Sequence, residues 1–187
     1  MELEEILEDA KKILSKERYI HCLGTMERAE ELAKIYNEDI EKAKKVGIAH
    51  DIAKEMSKEE SLKYIKESNI IIDDIERKTP YLLHGKIGAD ISKKKYGFDK
   101  KMQEAILYHT TGNPKMDLFA KIIFVADKTE KNRIKENINI DYEKDMSNKD
   151  IDKAMVYILE ESIKKNINKK VLIHPDSLLT RNQLIIT

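Results

Sequence analysis

The sequence predicts an all-α protein with a single domain over residues 1–187. Only six Gly and three Pro occur in 187 residues, which leaves little turn chemistry for a many-stranded sheet. Apolar residues recur at helical spacing along most of the chain. No internal repeat, low-complexity stretch or change of composition marks a domain boundary. A chain of this length is sufficient to bury one substantial core.

The first half of the chain combines apolar helical faces with recognisable capping residues. Ser15 and Asp39 precede apolar-periodic segments, as N-cap residues do. Ser57 and Glu60 have the spacing of a capping box. The predicted helices cover residues 2–14, about 16–37, 39–54, and a short segment that begins at 57.

The second half is predicted to be helical as well, with one polar interruption. The segment "MDLFAKIIFVADKTEKNR" is apolar nearly all round, which is typical of a central, buried helix. The other predicted elements are a helix after Pro80 that ends near Gly97, a helix from an Asp99 cap to Gly112, a polar loop over 132–146, a long helix from a Ser147 cap to about 168, and a tail with an extended piece, a Pro and a short helix.

Charge and cysteine content narrow the class of protein. Lys plus Arg equals Asp plus Glu at 35 each, so the composition gives no electrostatic support for a nucleic-acid or membrane partner. A single cysteine, Cys22, excludes an internal disulfide and suits a reducing compartment. The acidic start "MELEEILEDA" is unlike a signal peptide, and no apolar run is long enough to span a membrane. We therefore expect a cytoplasmic protein.

Histidine and aspartate side chains interrupt the apolar faces of several predicted helices. Asp127 follows "FVA" on the central helix, where a buried carboxylate requires a partner. A lone histidine on such a face is usually a satisfied core or surface residue, but a convergent set indicates a metal, since imidazole and carboxylate bind iron, zinc and manganese. The histidines on four different helices are His21, His50, His84 and His109.

The order His21, His50-Asp51, Asp127 resembles the HD-domain metal-dependent phosphohydrolase superfamily, whose domain is a helical bundle. Six further segments resemble its YqeK-type branch, which hydrolyses dinucleoside tetraphosphates symmetrically: "ERYIHCLGTMERAEELA", "GIAHDIAKE", "LLHGKIGA", "AILYHTTG", "ADKTEKNR" and "IHPDSLLTRN". One departure is the absence of a Pro after the Glu of "KTEKNR", although Arg133 keeps its place.

The resemblance implies one or two bound ions. His21, His50, Asp51 and Asp127 correspond to the primary metal ligands. His84 and His109 lie further along the same pocket and either hold a second metal or donate hydrogen bonds to phosphate. Iron is the metal that the family implies, while ligand chemistry alone also allows manganese or zinc.

Catalytic roles are expected for two residues that follow the histidine of "GIAHDIAKE". Asp51 can position a metal-activated water or accept its proton. Lys54 can neutralise charge that develops on the phosphoryl group. Arg133 can form a bidentate fork on a phosphate. A solvated surface charge is the alternative for both Lys54 and Arg133.

The remaining expected substrate contacts lie at the pocket mouth and in the tail. Arg18 either reaches that mouth or pairs locally, and Thr110 either meets phosphate or ends a helix. The tail, residues 171–187, is expected to close over the nucleotide pocket. Ile173 and His174 would then contact the nucleotide through backbone groups.

The expected reaction is the cleavage of diadenosine tetraphosphate, or a related dinucleoside polyphosphate, into two nucleoside diphosphates. The enzyme alternative is another HD-type nucleotidase or phosphodiesterase. The "GYP" motif of the cyclic-dinucleotide enzymes is absent from the sequence. The non-enzyme alternative is a regulatory module that binds metal or nucleotide. A homodimer through residues 2–14 is also an expectation.

Overall fold

Eleven α-helices follow one another in the computed structural model, which describes residues 1–133 and 140–186. These residues contain no β-strand, and none of their helices is long and apolar enough to cross a lipid bilayer. The helices are α1 Leu3–Ile13, α2 Lys16–Ile35, α3 Ile40–Ala49, α4 Lys58–Glu67, α5 Asp74–Lys78, α6 Leu83–Tyr96, α7 Lys100–Tyr108, α8 Leu118–Thr129, α9 Ile140–Lys149, α10 Ile151–Asn168 and α11 Pro175–Ile186, with a 3-10 turn at Pro80–Leu82. The all-α prediction is confirmed.

The apolar helix α8 lies at the centre, as its composition predicts. Its Phe119, Ile122, Ile123 and Val125 are fully buried. Helices α2, α3, α7 and α10 pack around it. One hydrophobic cluster joins α1 to α10, from Leu3 to Leu159. The carboxylate of Asp127, near the end of this helix, is buried as well.

The predicted caps are largely confirmed. The Ser15 hydroxyl accepts a hydrogen bond from Arg18 N at 3.2 Å, and Ser57 forms the expected capping box with Glu60. Asp99 accepts from Met102 N at 3.0 Å. The apolar face of α1 buries Leu3, Ile6 and Ala10 in the core, so this face is not available for the expected dimer contact.

The third helix ends five residues earlier than predicted. Helix α3 stops at Ala49, and His50 begins a series of turns. Ile52 N donates to Ala49 O and Lys54 N to Asp51 O, which are three-residue rather than four-residue spacings. The prediction of a continuous helix to Lys54 is therefore wrong. The tightened turns project His50 and Asp51 from the end of α3 instead of from its side.

The seventh helix also ends earlier than predicted, at Tyr108 rather than Gly112. His109 is its C-cap residue, and a turn continues to Gly112, whose φ of +73° is left-handed. Gly112 N donates to Tyr108 O at 2.8 Å and closes this turn. Both His50 and His109 thus stand at helix C-termini, where the chain leaves the helical path.

The predicted polar loop over 132–146 is wrong for its described second part. Residues 140–149 form α9, and residues 134–139 lie outside the described residues. The buried guanidinium of Arg28 fixes α9 by donating to Lys144 O, Ser147 Oγ and Asn148 Oδ1. Tertiary contacts therefore stabilise a helix that composition does not favour. The cap of α10 is Asp150 rather than Ser147, because Asp150 Oδ1 accepts from Lys153 N.

Candidate metal centre

His50 and Asp51 lie side by side at the C-terminus of α3 and are almost completely buried. His50 Nδ1 donates to Gly47 O at 2.8 Å, which turns its Nε2 away from the helix. Gly47 permits a close approach of α2, because a Cβ there would lie 2.6 Å from Met26 Cα. The missing side chain therefore lets the α2 backbone pass directly beside the segment that carries His50.

Three helices bring their ligands to one point. His21, in the middle of α2, places Nε2 3.0 Å from Oδ1 of Asp127 on α8. His50 Nε2 lies 3.7 Å from the same oxygen and 3.6 Å from Asp51 Oδ2. The structure thus brings together all four residues predicted as primary ligands.

His84 and His109 lie on the other side of Asp51. Their Nε2 atoms are 3.3 Å and 3.4 Å from Asp51 Oδ1, whereas Asp51 Oδ2 faces His21 and His50. The two Nε2 atoms are 3.1 Å apart, and Thr110 Oγ1 lies 3.1 Å from each. Asp51 consequently stands between two pairs of histidine Nε2 atoms, one pair on each carboxylate oxygen.

The hydrogen bonds of the histidines favour metal binding. His50, His84 and His109 each direct Nδ1 at a backbone carbonyl, so Nδ1 carries the proton and Nε2 carries a free lone pair. Among the described residues, Nε2 of His21 and Nε2 of His50 are buried without a hydrogen-bond partner. Imidazole lone pairs and carboxylate oxygens are the ligand types that divalent metals bind in proteins, so these residues fit such an ion.

The protonation preferences of His84, His109 and Asp127 are those of metal ligands. Burial lowers the pKa of His109 to about 3 and also lowers the pKa of His84, so both imidazoles stay neutral. Burial opposes ionisation of Asp127, but the charges of Lys128 and Arg133 more than offset it and hold its pKa well below the usual range. Neutral imidazole and ionised carboxylate are the forms that bind metals.

Four cationic side chains surround this cluster. Arg18 NH1 lies 2.9 Å from Asp51 Oδ2, and Arg133 NH1 lies 2.7 Å from Asp127 Oδ1. Lys54 Nζ lies 3.1 Å from His84 Nε2, and burial lowers its pKa. Lys128 forms an ion pair with Asp127. Lys54 and Arg133 are therefore partly buried members of the site, and the alternative of a solvated surface charge is wrong for both.

The tail docks on the segment that follows His109. Ser177 Oγ donates to Thr111 O at 2.9 Å, and Thr180 packs on Gly112. His174 and Ile173 are partly buried, and His174 Nε2 lies 2.9 Å from Asp73 Oδ2 rather than in the histidine cluster. The extended piece 171–174 therefore runs beside the histidine pocket without entering it.

Sequence reasoning missed Glu130 and Lys128. Glu130 is fully buried and places Oε1 3.2 Å from His21 Nδ1. Both residues lie within three positions of Asp127, and that proximity was the available signal. A charged side chain that closely follows a buried ligand in the chain can reach few partners other than that ligand or the residues around it.

Comparison with known proteins identifies the class. Residues 18–132 match the HD domain family, and the chain belongs to it. This range includes His21, His50, Asp51 and Asp127 and extends from the second helix to just beyond the eighth.

Relatives over nearly the full length have a more specific name. A protein of Bacillus subtilis (strain 168), named symmetrical bis(5'-nucleosyl)-tetraphosphatase, is 33% identical over 186 residues, which cover 99% of this chain and 98% of that protein. A protein of Halalkalibacterium halodurans with the same name is 36% identical over 96% of this chain and 95% of its own. A Clostridium acetobutylicum crystal structure, described as a predicted HD superfamily hydrolase involved in NAD metabolism, superposes with a TM-score of 0.94 at 35% identity, covering 100% of this chain and 98% of that one.

Proposed function

We propose that this protein is a symmetrical bis(5'-nucleosyl)-tetraphosphatase that hydrolyses diadenosine tetraphosphate to two ADP molecules. The observation that carries the proposal is the convergence of four imidazole and carboxylate side chains with four cationic side chains in one buried centre. The names of relatives that align over nearly the whole chain support the same activity. The substrate is a small dinucleotide, which suits a local cationic site in a chain without net charge.

His21, His50, Asp51 and Asp127 are the proposed ligands of the first metal, and His84 with His109 are those of a second. The ligand atoms of His21, His50 and Asp127 lie within 4.8 Å of one another, as do those of His50, Asp51 and His109. A divalent metal held there acts as a Lewis acid toward a phosphate oxygen and makes water more acidic. Iron is our proposed metal, with manganese and zinc as the chemically compatible alternatives.

Asp51 and Lys54 are the proposed catalytic residues. Asp51 is ionised because the neighbouring histidines offset the effect of burial and keep its pKa well below the usual range. It can therefore orient the attacking water and accept its proton. The ammonium of Lys54 stands beside His84 and can donate to phosphate oxygens as negative charge develops on them.

The polyphosphate contacts are proposed for the remaining polar residues around the centre. The guanidinium groups of Arg18 and Arg133 offer several donors each and are about one-third exposed, at 32% and 30% of the side chain. Thr110 Oγ1 supplies a neutral donor next to the histidine pair. The phosphates would thus be held by partly buried guanidinium groups and a hydroxyl.

The tail is proposed to complete the nucleotide pocket. Ile173 and His174 are the proposed nucleotide contacts. They belong to the extended piece 171–174, which the docking of Ser177 on Thr111 holds in place. We also propose that residues 1–187 form one domain, which the continuous hydrophobic cluster supports. The single buried Cys22 supports a cytoplasmic location. A homodimer stays a prediction that sedimentation can test.

The position of cleavage follows if the pocket holds one ADP unit of the dinucleotide and releases the other. Water adds to the second phosphorus of the tetraphosphate, the central P–O–P bridge breaks, and ADP leaves with the bridging oxygen. One water and one dinucleotide give two ADP molecules: the water oxygen ends on one ADP and the bridging oxygen on the other, and both protons of the water are released when the two new terminal phosphates are fully ionised. A pocket that holds a nucleoside diphosphate therefore yields symmetrical products.

The decisive experiment hydrolyses diadenosine tetraphosphate in ¹⁸O-water with the protein loaded in turn with Fe²⁺, Mn²⁺ or Zn²⁺. We expect ADP as the only product, with label on the terminal phosphate of one ADP in two. His50→Ala should be inactive, and Glu38→Gln, which changes a carboxylate outside the site, should be active. AMP with ATP would place the cut one phosphate away. Turnover of mononucleotides without turnover of the dinucleotide would favour the nucleotidase alternative.

A further inference from the structure

The histidines of the centre differ in the acceptor that holds Nδ1. His50, His84 and His109 donate to the carbonyl three residues earlier, at 2.8, 2.5 and 2.6 Å. Each of them stands at a helix terminus, as the C-cap of α3, the second residue of α6 and the C-cap of α7. The carbonyls in the last turns of α3 and α7 have no partner within the helix and are free to accept, and Tyr81 O belongs to the 3-10 turn that precedes α6.

His21 stands in the interior of α2 and has no such carbonyl available. Helix α2 runs over Lys16–Ile35, so the carbonyls near His21 bond within the helix. Its Nδ1 is met instead by the carboxylate of Glu130, with Oε1 at 3.2 Å. Glu130 follows the last residue of α8, and its side chain is completely buried.

The surroundings of Glu130 hold it in this position. Its Oε2 accepts from Asn132 N at 2.6 Å, and Asn132 Nδ2 donates to Ile20 O at 3.3 Å. The carboxylate fits beside α2 because residue 24 is glycine. A Cβ at Gly24 would lie 2.1 Å from Glu130 Oε2, which is far inside any contact distance. Gly24 is therefore a notch in α2, one turn after His21.

We propose that Glu130 is the positioning residue of the metal centre, acting through His21, and that Gly24 is the notch that admits it. A carboxylate that accepts a hydrogen bond from Nδ1–H fixes the tautomer in which Nε2 is unprotonated and faces Asp127. It also makes the Nε2 lone pair a stronger electron donor to a metal. Glu130 meets the Nδ1 edge of the ring, opposite the edge that faces Asp127, so it does not act as a ligand itself. The inference rests on the proposed ligand role of His21.

The first test measures Mn²⁺ affinity by the electron paramagnetic resonance of free Mn²⁺ in titrations of the full chain. We expect Glu130→Ala to weaken binding about 100-fold and Glu130→Gln about tenfold, because glutamine keeps an acceptor and loses the charge. Glu38→Gln, which alters a carboxylate paired with Lys101 at 2.8 Å, is the matched control and should bind as wild type. Thermal melting establishes that each variant is folded. The near-isosteric Glu130→Gln decides the test if the alanine variant does not fold, and wild-type affinity in it would overturn the proposal.

The second test uses Gly24→Ala and the double variant with Glu130→Ala. The added methyl group must displace the carboxylate, so Gly24→Ala should lose Mn²⁺ affinity to the same extent as Glu130→Ala. The double variant should lose no more than either alone, since both changes remove one contact. Additive losses of Mn²⁺ affinity in the double variant would overturn the proposal that Gly24 admits the Glu130 carboxylate.

His21→Ala separates this inference from the proposed function. Loss of Mn²⁺ affinity in His21→Ala but not in the Glu130 variants would refute the positioning role of Glu130 and leave the ligand role of His21 standing. Unchanged affinity in His21→Ala would refute the ligand set itself. Binding is measured without turnover, so an enzyme that fails to cleave diadenosine tetraphosphate can still confirm the role of Glu130.

Discussion

Replacing Gly47 with alanine should separate the two helices that carry His21 and His50. A Cβ at Gly47 would lie 2.6 Å from Met26 Cα and 3.0 Å from Met26 N. Both are backbone atoms, so no side-chain rotation relieves the overlap. Restoring an ordinary contact of 3.4 Å requires α2 and α3 to move apart by about 0.8 Å at this point.

The expected magnitudes follow from that displacement. Overpacking of this kind costs about 1–3 kcal/mol, and the gain in helix propensity from Gly to Ala returns up to about 1 kcal/mol. The net loss of about 1–2 kcal/mol lowers Tm by about 2–8 °C in a chain of this size. A shift near 1 Å between catalytic groups costs about 100-fold in rate, so kcat/KM for the dinucleotide should fall by about two orders of magnitude.

Gly88→Ala is the matched control for this prediction. A Cβ at Gly88 would lie 3.4 Å from Ile106 Cγ2 and 3.5 Å from His50 O, which are ordinary contacts. It also exchanges a helical glycine for alanine beside the centre, but without backbone overlap. Urea unfolding and steady-state kinetics compare the two variants. Equal stability and equal activity of Gly47→Ala and Gly88→Ala would refute the close-approach reasoning.

Three further predictions concern the metal, pH and the tail. Asp127→Asn should lower Mn²⁺ affinity by at least about tenfold, because the amide replaces a buried anionic ligand. Equilibrium dialysis of both proteins measures this, and an unchanged affinity would contradict the ligand role of Asp127. Burial raises the pKa of Asp9, but the hydrogen bonds from Lys95 and Tyr96 and the nearby lysine charges together outweigh it, so the pKa is lowered. The contribution of Asp9 to stability is therefore present above about pH 4 and is lost as the pH falls through the folded pKa; urea unfolding of Asp9→Asn should converge on wild type at low pH and differ from it at neutral pH. Asp73→Ala removes the partner of His174 and should raise KM several-fold with less change in kcat; a kcat loss without a KM change would show that the tail does not bind the nucleotide.

The fold class and the positions of the candidate ligands were predictable from the sequence for one physical reason. Apolar periodicity identifies the buried side of each helix, and a polar residue on that side must meet a partner in the interior. His21, His50 and Asp127 fall on such faces, and the structure brings them within reach of one another. Ser15, Ser57 and Asp99 were identifiable as caps because capping depends on residues close in the chain.

The features that could not be predicted depend on contacts between distant segments. Helix α9 is stabilised by the guanidinium of Arg28, which lies more than one hundred residues earlier. Helix α3 ends at Ala49 in a series of three-residue turns, although the apolar periodicity continues to Lys54. The partner of His21 likewise comes from the end of another helix, in Glu130.

Net charge was the least informative property of the sequence, and the structure explains why. Equal numbers of acidic and basic residues describe the whole chain, whereas a substrate meets only the groups around the centre. There the carboxylates of Asp51, Asp127 and Glu130 stand among four cationic side chains, and burial lowers the pKa of His84 and of His109 so that both imidazoles are neutral. The excess is therefore positive before any metal binds, and it is positive in a partly buried region where charges are screened least. A chain without net charge can thus present a local excess of positive charge to a polyphosphate at one site.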